Sequence, residues 1–392
     1  MKKFLMTALL TVAPFAAQAE LFTSGNSPTF FRSLVGSNII SSYSLLPLNG
    51  RLADDRLGWS ESYWPSNKGM IAYRWNHPDP KPFKYKYLSR SEVIGMSQEQ
   101  LGQLSPSELY DIAQGDYNFS LTKRVFSLVS PRDTWWEGIC HGWAQAAVNY
   151  PEPDRVVVTN PDGIQVPFGA SDVKALLAFH EAYNFRGGNN WAFLGTRCRT
   201  PGKVPGEGDE RDSYTGFPEP ALRNSDDCRD VNAGAFHVVI ANMIGIHGAG
   251  FVADIDRFND VWNQPVTGYN ASFVQNEEVN ANHTSLGIAR RVRVKMKMQY
   301  GEELKFFTPE LAATGIQNFV SKYPVTGTIH QEFRYKDYEY ILELNSRGDI
   351  IGGEWITETR PDFMWLYGRA KKFKNTPMPM TGLEKIYRPV KR

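Results

Sequence analysis

The chain has 392 residues, with 43 Lys and Arg against 42 Asp and Glu, so its formal charge is +1. Near-neutrality removes the electrostatic case for a nucleic-acid partner or an anionic membrane surface. Only three cysteines are present, too few for a disulfide-built scaffold, so the length must be organised around a hydrophobic core.

Lys2 and Lys3 precede an apolar run from Phe4 to Ala17, and Ala17-Gln18-Ala19 follows with small residues at the right spacing. This pattern reads as a signal peptide over residues 1–19, cleaved before Glu20. The run is too short for a membrane span, and no later segment approaches the required length of about 18 apolar residues. The expected mature protein is secreted or periplasmic, without a membrane span.

Residues 20–125 form a mixed, aromatic-rich N-terminal region. A loop is expected over 63–70 and a short strand from Ile71 to Trp75. Ser97 and Ser105 are expected to cap short helices reaching Leu101 and Ile112. A core region, 126–285, begins with Trp135-Trp136-Glu137-Gly138-Ile139-Cys140-His141-Gly142-Trp143, where a Gly-preceded turn runs into an Ala-rich helix from Cys140 to Val148. Arg155–Thr159 and Ile164–Phe168 flank Asn160-Pro161-Asp162-Gly163, a hairpin signal. An amphipathic helix is expected over 172–183. A Gly- and Pro-rich loop over 187–234 contains Cys198 and Cys228. Pairing those two would close about 30 residues and stabilise the loop by roughly 3 to 4 kcal/mol. His237–Ile244 and Phe251–Asp256 are expected as two strands of a hairpin. Residues 286–392 form a C-terminal antiparallel β region, with strands over 290–300 and 338–344.

If Cys198 and Cys228 pair, Cys140 is the thiol left over, and it stands at a helix start, where the macrodipole favours thiolate. A free thiol in an exported chain suggests covalent catalysis. Such a nucleophile needs a base and an orienting group. His237 heads the expected strand and is taken as the base. On the return strand Asp254 is the first choice of orienter, with Asp256 and Asn242 as alternatives. The constellation reads as Cys-His-Asp acyl transfer. Zinc is disfavoured, because no C-x₂-C or H-x₃-H spacing exists. The chemistry requires no cofactor. The acidic residues Asp226, Asp227 and Asp230 leave a calcium ion possible, although they lack an EF-hand spacing.

Val261-Trp262-Asn263-Gln264-Pro265-Val266, followed by Gly268 and Tyr269, resembles the surface peptide of the transglutaminase elicitor family of Phytophthora oomycetes. The 136–143 stretch, the Gly-Ala-Phe-His segment ending at His237 and the 251–254 segment resemble that family too. Tyr63-Trp64-Pro65 and Pro361-Asp362-Phe363-Met364-Trp365 are similar to its bacterial members. Thr267 and Asn270 stand where the oomycete peptide has basic residues, so plant recognition does not carry over. The resemblance implies an α+β, papain-like or transglutaminase-type core: a helix bearing Cys140 packed on an antiparallel sheet bearing His237 and Asp254. It implies transglutaminase activity on glutamine- and lysine-containing proteins or peptides. Cys140 would be the nucleophile, and the Trp135 or Trp136 indole an oxyanion or cleft group. The same triad would serve a cysteine peptidase or a protein-glutamine deamidase. A non-enzymatic alternative is a recognition protein using the 261–269 peptide as its binding surface.

Overall fold

The computed structural model describes residues 19–74, 85–183, 190–196, 230–255, 260–304, 332–368, 373 and 380–390. Among these, no helix is long and apolar enough to cross a membrane.

Local sequence rules govern the N-terminal helices. Ser89, Ser97 and Ser105 each accept a hydrogen bond from the backbone N–H three residues on. The side chains of Glu92, Gln100 and Glu108 bond back to the cap residues, completing reciprocal capping boxes. Pro106 stands at the first position of its helix, and Gly115 ends that helix at φ 73°, where a Cβ would be strained. The expected strand at 71–75 is instead a 3₁₀ turn, Met70–Ala72.

Ten strands follow in chain order: β1 (Asn49–Arg51), β2 (Val156–Thr159), β3 (Gln165–Phe168), β4 (Trp191–Gly195), β5 (Phe251–Asp254), β6 (Asn263–Glu277), β7 (Arg290–Gly301), β8 (Phe333–Leu344), β9 (Ile350–Trp355) and β10 (Phe363–Tyr367). β2 and β3 are the expected hairpin. Its turn is fixed by the Asn160 carboxamide oxygen, which accepts from the N–H groups of Asp162 and Ile164. The main sheet runs β4-β10-β5-β6-β7-β8-β9, with β1 paired to β6. Every pairing in it is antiparallel. The expected boundary at 285/286 falls between β6 and β7, which pair over most of their length.

The sheet separates two cores. Along β5, Val252 belongs to one core, and Phe251 and Ala253 to the other. β10 alternates the same way, with Phe363 and Trp365 against Met364 and Leu366. The first core is roofed by the helices Cys140–Asn149 and Ala170–Tyr183, and the Cys140 helix also lies on β5 and β6. The two helices approach closely at Gly142, where a Cβ would stand 2.1 Å from the Ala178 carbonyl oxygen.

The second core holds the largest departure from expectation. Residues 237–244 form no strand. They lie in the α-helix Ala233–Ile240 and the π-helical turn Ala241–Ile246. A mostly apolar run rich in β-branched residues carries no clear period of its own, and the sequence lacks the alternation that identifies a strand. The overlooked start signal is Asn232, whose side chain caps the N–H groups of Gly234 and Ala235. This helix packs on β8 and β9. The hairpin expected between 237–244 and 251–256 therefore does not exist, and the partners of β5 are β6 and β10.

Candidate active site

Cys140 opens its helix as expected, and its N-terminal approach is held by the 63–66 segment. The Ile139 N–H donates to the Tyr63 carbonyl at 2.7 Å, and the Ser66 N–H to the Glu137 carbonyl at 2.8 Å. Gly138 permits this contact, since a Cβ there would fall 2.4 Å from the Tyr63 carbonyl oxygen. Ile139 provides no side-chain cap for the first N–H groups of the helix.

The thiol is 5% exposed. Its Sγ lies 3.6 Å from the Val261 carbonyl oxygen and 3.7 Å from Asn263 Nδ2. Asn263 pairs directly with Asp254 across β5 and β6, so both side chains rise from the same face as Val252, toward the Cys140 helix. Trp365 Nε1 donates to Asn263 Oδ1 at 2.7 Å. An indole can only donate, so the Asn263 oxygen must face Trp365 and its NH₂ must face the sulfur.

Two carboxyl groups complete the surroundings. Asp254 is fully buried, and its Oδ1 accepts from the Trp262 N–H at 3.1 Å. Glu303, just beyond the end of β7, has a buried Oε2 without a hydrogen-bond partner among the described residues. Burial raises its pKa well above the usual carboxylate range. Burial, foremost, with the Glu303 and Asp254 charges, pushes the Cys140 thiol up to about 12, against the lowering effect of Asn263. The helix dipole expectation is thus overruled by desolvation.

Aromatic rings form the cover. The Trp262 ring lies 5.8 Å from that of Tyr63 and 5.9 Å from that of Trp135. The Tyr63 hydroxyl donates to the Trp135 carbonyl. Trp135 thus packs with Tyr63 and Trp262, and Trp136 is half-buried beside it.

His237 is not part of this group. Its ring is fully buried in the second core, on the opposite face of the sheet from Cys140. Nδ1 is 2.8 Å from the Tyr340 hydroxyl, and burial lowers its pKa to about 4. The expected sheet-borne His therefore becomes a core-filling helical His. Asn242 is a structural clamp: its amide binds the Ile40 N–H and C=O and the Val238 carbonyl. His141 is also absent from the thiol's partners, and burial holds its pKa at about 4. Asp256, Cys198, Cys228, Asp226 and Asp227 lie outside the described residues. Asp230 forms an ion pair with Arg360.

The 261–269 peptide is likewise not a surface feature. Val261 and Trp262 are half-buried, and Asn263–Tyr269 are buried in β6, between β5 and β1 on one side and β7 on the other. Its recognition-surface reading is corrected accordingly. Its residues instead bond and cover the thiol. Asn263, Trp365 and Glu303 escaped the sequence reading, because nothing local in the chain ties them to Cys140.

Comparison with solved structures finds the GP42 transglutaminase from Phytophthora sojae, with a TM-score of 0.60 at 20% identity, covering 93% of this chain and 98% of that one. The likeness establishes a shared mixed fold of helices and antiparallel sheet. Comparison with curated proteins finds no match. The family model described as transglutaminase elicitor matches residues 131–390, from the approach to the Cys140 helix through every strand of the main sheet from β4 onward. The chain belongs to the transglutaminase elicitor family.

Proposed function

We propose that the protein is a protein-glutamine γ-glutamyltransferase with Cys140 as nucleophile, and that buried carboxylates take the part assigned to an imidazole. The observation that carries this reading is the amide of Asn263, oriented by Trp365 and aimed at the sulfur of a helix-start cysteine.

In the resting state the thiol is protonated and covered. A glutamine side chain entering beneath Trp262 supplies its γ-carboxamide to Sγ. The thiol proton passes to the Asp254 carboxylate, since burial keeps Glu303 protonated. Sulfur attacks the carbonyl carbon, and the oxygen gains charge that the Asn263 NH₂ and the Cys140 N–H are placed to stabilise. The C–N bond breaks, and the carboxylic acid returns its proton to the departing ammonia. A lysine ε-amine then attacks the thioester, losing a proton to the carboxylate. The isopeptide bond forms, and the thiolate leaves to be reprotonated. Asp254 holds the Trp262 backbone, which keeps the wall in register. The Tyr63, Trp135 and Trp262 rings exclude water from the thioester, favouring amine over hydrolysis.

The test is incubation with a glutamine peptide and a fluorescent amine. Covalent amine uptake is expected, and Cys140→Ala should abolish it while leaving the circular dichroism spectrum unchanged. Full activity in Cys140→Ala would refute the assignment. Ammonia release without amine uptake would make the protein a deamidase acting through the same thioester, and peptide cleavage alone would make it a peptidase.

A further inference from the structure

Residues 20–22 add to the free edge of β9. Leu21 bridges Gly352, the Phe22 N–H donates to the Ile351 carbonyl, and the Gly353 N–H donates to the Glu20 carbonyl. The Glu20 carbonyl also accepts from Asn232 Nδ2 at 2.8 Å, the same side chain that caps the His237 helix. The Glu20 nitrogen donates at 3.1 Å to Glu343 Oε2. Gly352 leaves the room this needs: a Cβ there would stand 2.3 Å from the Glu20 carbonyl oxygen and 2.9 Å from Glu343 Oε2.

The electrostatics of this seat are incomplete. The Glu343 side chain is 0% exposed, and its Oε1 lies 3.9 Å from Arg291 Nε, beyond hydrogen-bond distance. Arg291 is committed to Glu354 at 2.6 Å, and Arg360 to Asp230. Four carboxyl groups, those of Glu20, Asp230, Glu343 and Glu354, thus face two guanidinium groups. Glu277 flanks Glu354, and His283 flanks Arg291. Burial, with the neighbouring carboxylates, raises Glu343 to about 7.

We propose that Glu343 and Gly352 form a receiving site for the α-ammonium group released by cleavage between Ala19 and Glu20, so that maturation completes the charge of the fold. Hydrolysis adds the water's hydroxyl to the Ala19 carbonyl and leaves Glu20 an amine, which takes a proton at neutral pH. A neutral amide donor is thereby replaced by a cation at the same position. Charged hydrogen bonds stabilise more than neutral ones by roughly five- to tenfold in equilibrium constant.

The pH dependence follows from the raised carboxyls. In the extended chain Glu343 prefers to be protonated, so stability is lost as pH rises through about 7. The ammonium lowers that pKa and removes much of the loss. The advantage of the cleaved chain therefore opens between about pH 5 and 7 and closes as the α-amine deprotonates above about pH 8 to 9.

The test compares urea unfolding of the chain beginning at Glu20 with that of the chain retaining Gln18-Ala19, each with and without Glu343→Gln. The Glu20 chain is expected to fold with a roughly five- to tenfold larger equilibrium constant at pH 7.5, and Glu343→Gln should remove the difference. No difference at pH 7.5, or one that survives Glu343→Gln, overturns the proposal. If Glu343→Gln fails to fold, acylation of the α-amine in the unmutated Glu20 chain decides. It should be at least about tenfold slower in the folded than in the urea-unfolded protein, and equal rates overturn the proposal. A secreted protein whose N-terminal mass begins elsewhere than Glu20 overturns it as well.

Discussion

Cys140 is set apart by position in the sequence, but its chemistry is decided by neighbours from distant parts of the chain. Trp365 reaches the sulfur only through Asn263, and the direction of that amide follows from the indole's having no acceptor. Trp365→Phe leaves the buried Asn263 oxygen without its donor, costing about 1 to 3 kcal/mol, and lets the amide turn its oxygen toward the thiol. Amine incorporation should fall by about tenfold or more, and Asn263→Ala by about 100-fold, as for loss of an oxyanion donor; steady-state kcat reads both. The thiol pKa of about 12 sets a second expectation. Iodoacetamide should label Cys140 far more slowly than free cysteine at pH 7, with the rate still climbing above pH 9. Trp262→Ala, by opening the cover, should accelerate labelling at pH 7.

At the scale of elements, the same two helices show why a close approach is specified by single residues. Gly142→Ala would drive a Cβ into the Ala178 carbonyl, forcing the two roofing helices apart. A loss of about 1 to 3 kcal/mol in urea unfolding is expected. On the other face of the sheet, His237 is neutral and buried, with a folded pKa of about 4, below its unfolded value of about 6.5. The stability it contributes is present above pH 6.5 and is lost as pH falls toward 4, by on the order of 3 kcal/mol. His237→Gln should flatten that acid limb in pH-dependent urea unfolding while leaving kcat within about twofold, since the ring does not reach the thiol. A kcat loss as large as that of Cys140→Ala would return His237 to the reaction.

Among the described residues, carboxyls raised by burial outnumber the imidazoles that burial lowers. Glu61, Asp111 and Glu343 are each raised to about 7, chiefly by burial. Each contributes stability that is complete at low pH and is lost as pH rises through about 7. His141 and His237, held near 4, act in the opposite sense as pH falls below 6.5. With more raised carboxyls than lowered imidazoles, unfolding free energy should peak at mildly acidic pH, near 5, rather than at 7 to 8. Urea titrations from pH 4 to 9 measure it. A maximum above pH 7 would show that these carboxyls are ionised in the folded state.

The Ser97 and Ser105 caps, the Asn160 turn and the helix start at Cys140 were legible in the sequence, because each is settled by residues within four positions of one another. The family was legible for a similar reason, as its motifs are contiguous. The 237–244 segment is a helix rather than the expected strand, because its mostly apolar run satisfies either period and its packing on β8 and β9 selects the helix. Cys140 and Asp254 could be named from the chain, but the loss of His237 from their company could not. The sheet stands between them, and which face a residue occupies depends on pairings across tens of residues. Local hydrogen-bond chemistry determined the elements. Burial against distant strands decided the protonation of the thiol, the direction of Asn263 and the place of the 261–269 peptide inside the fold.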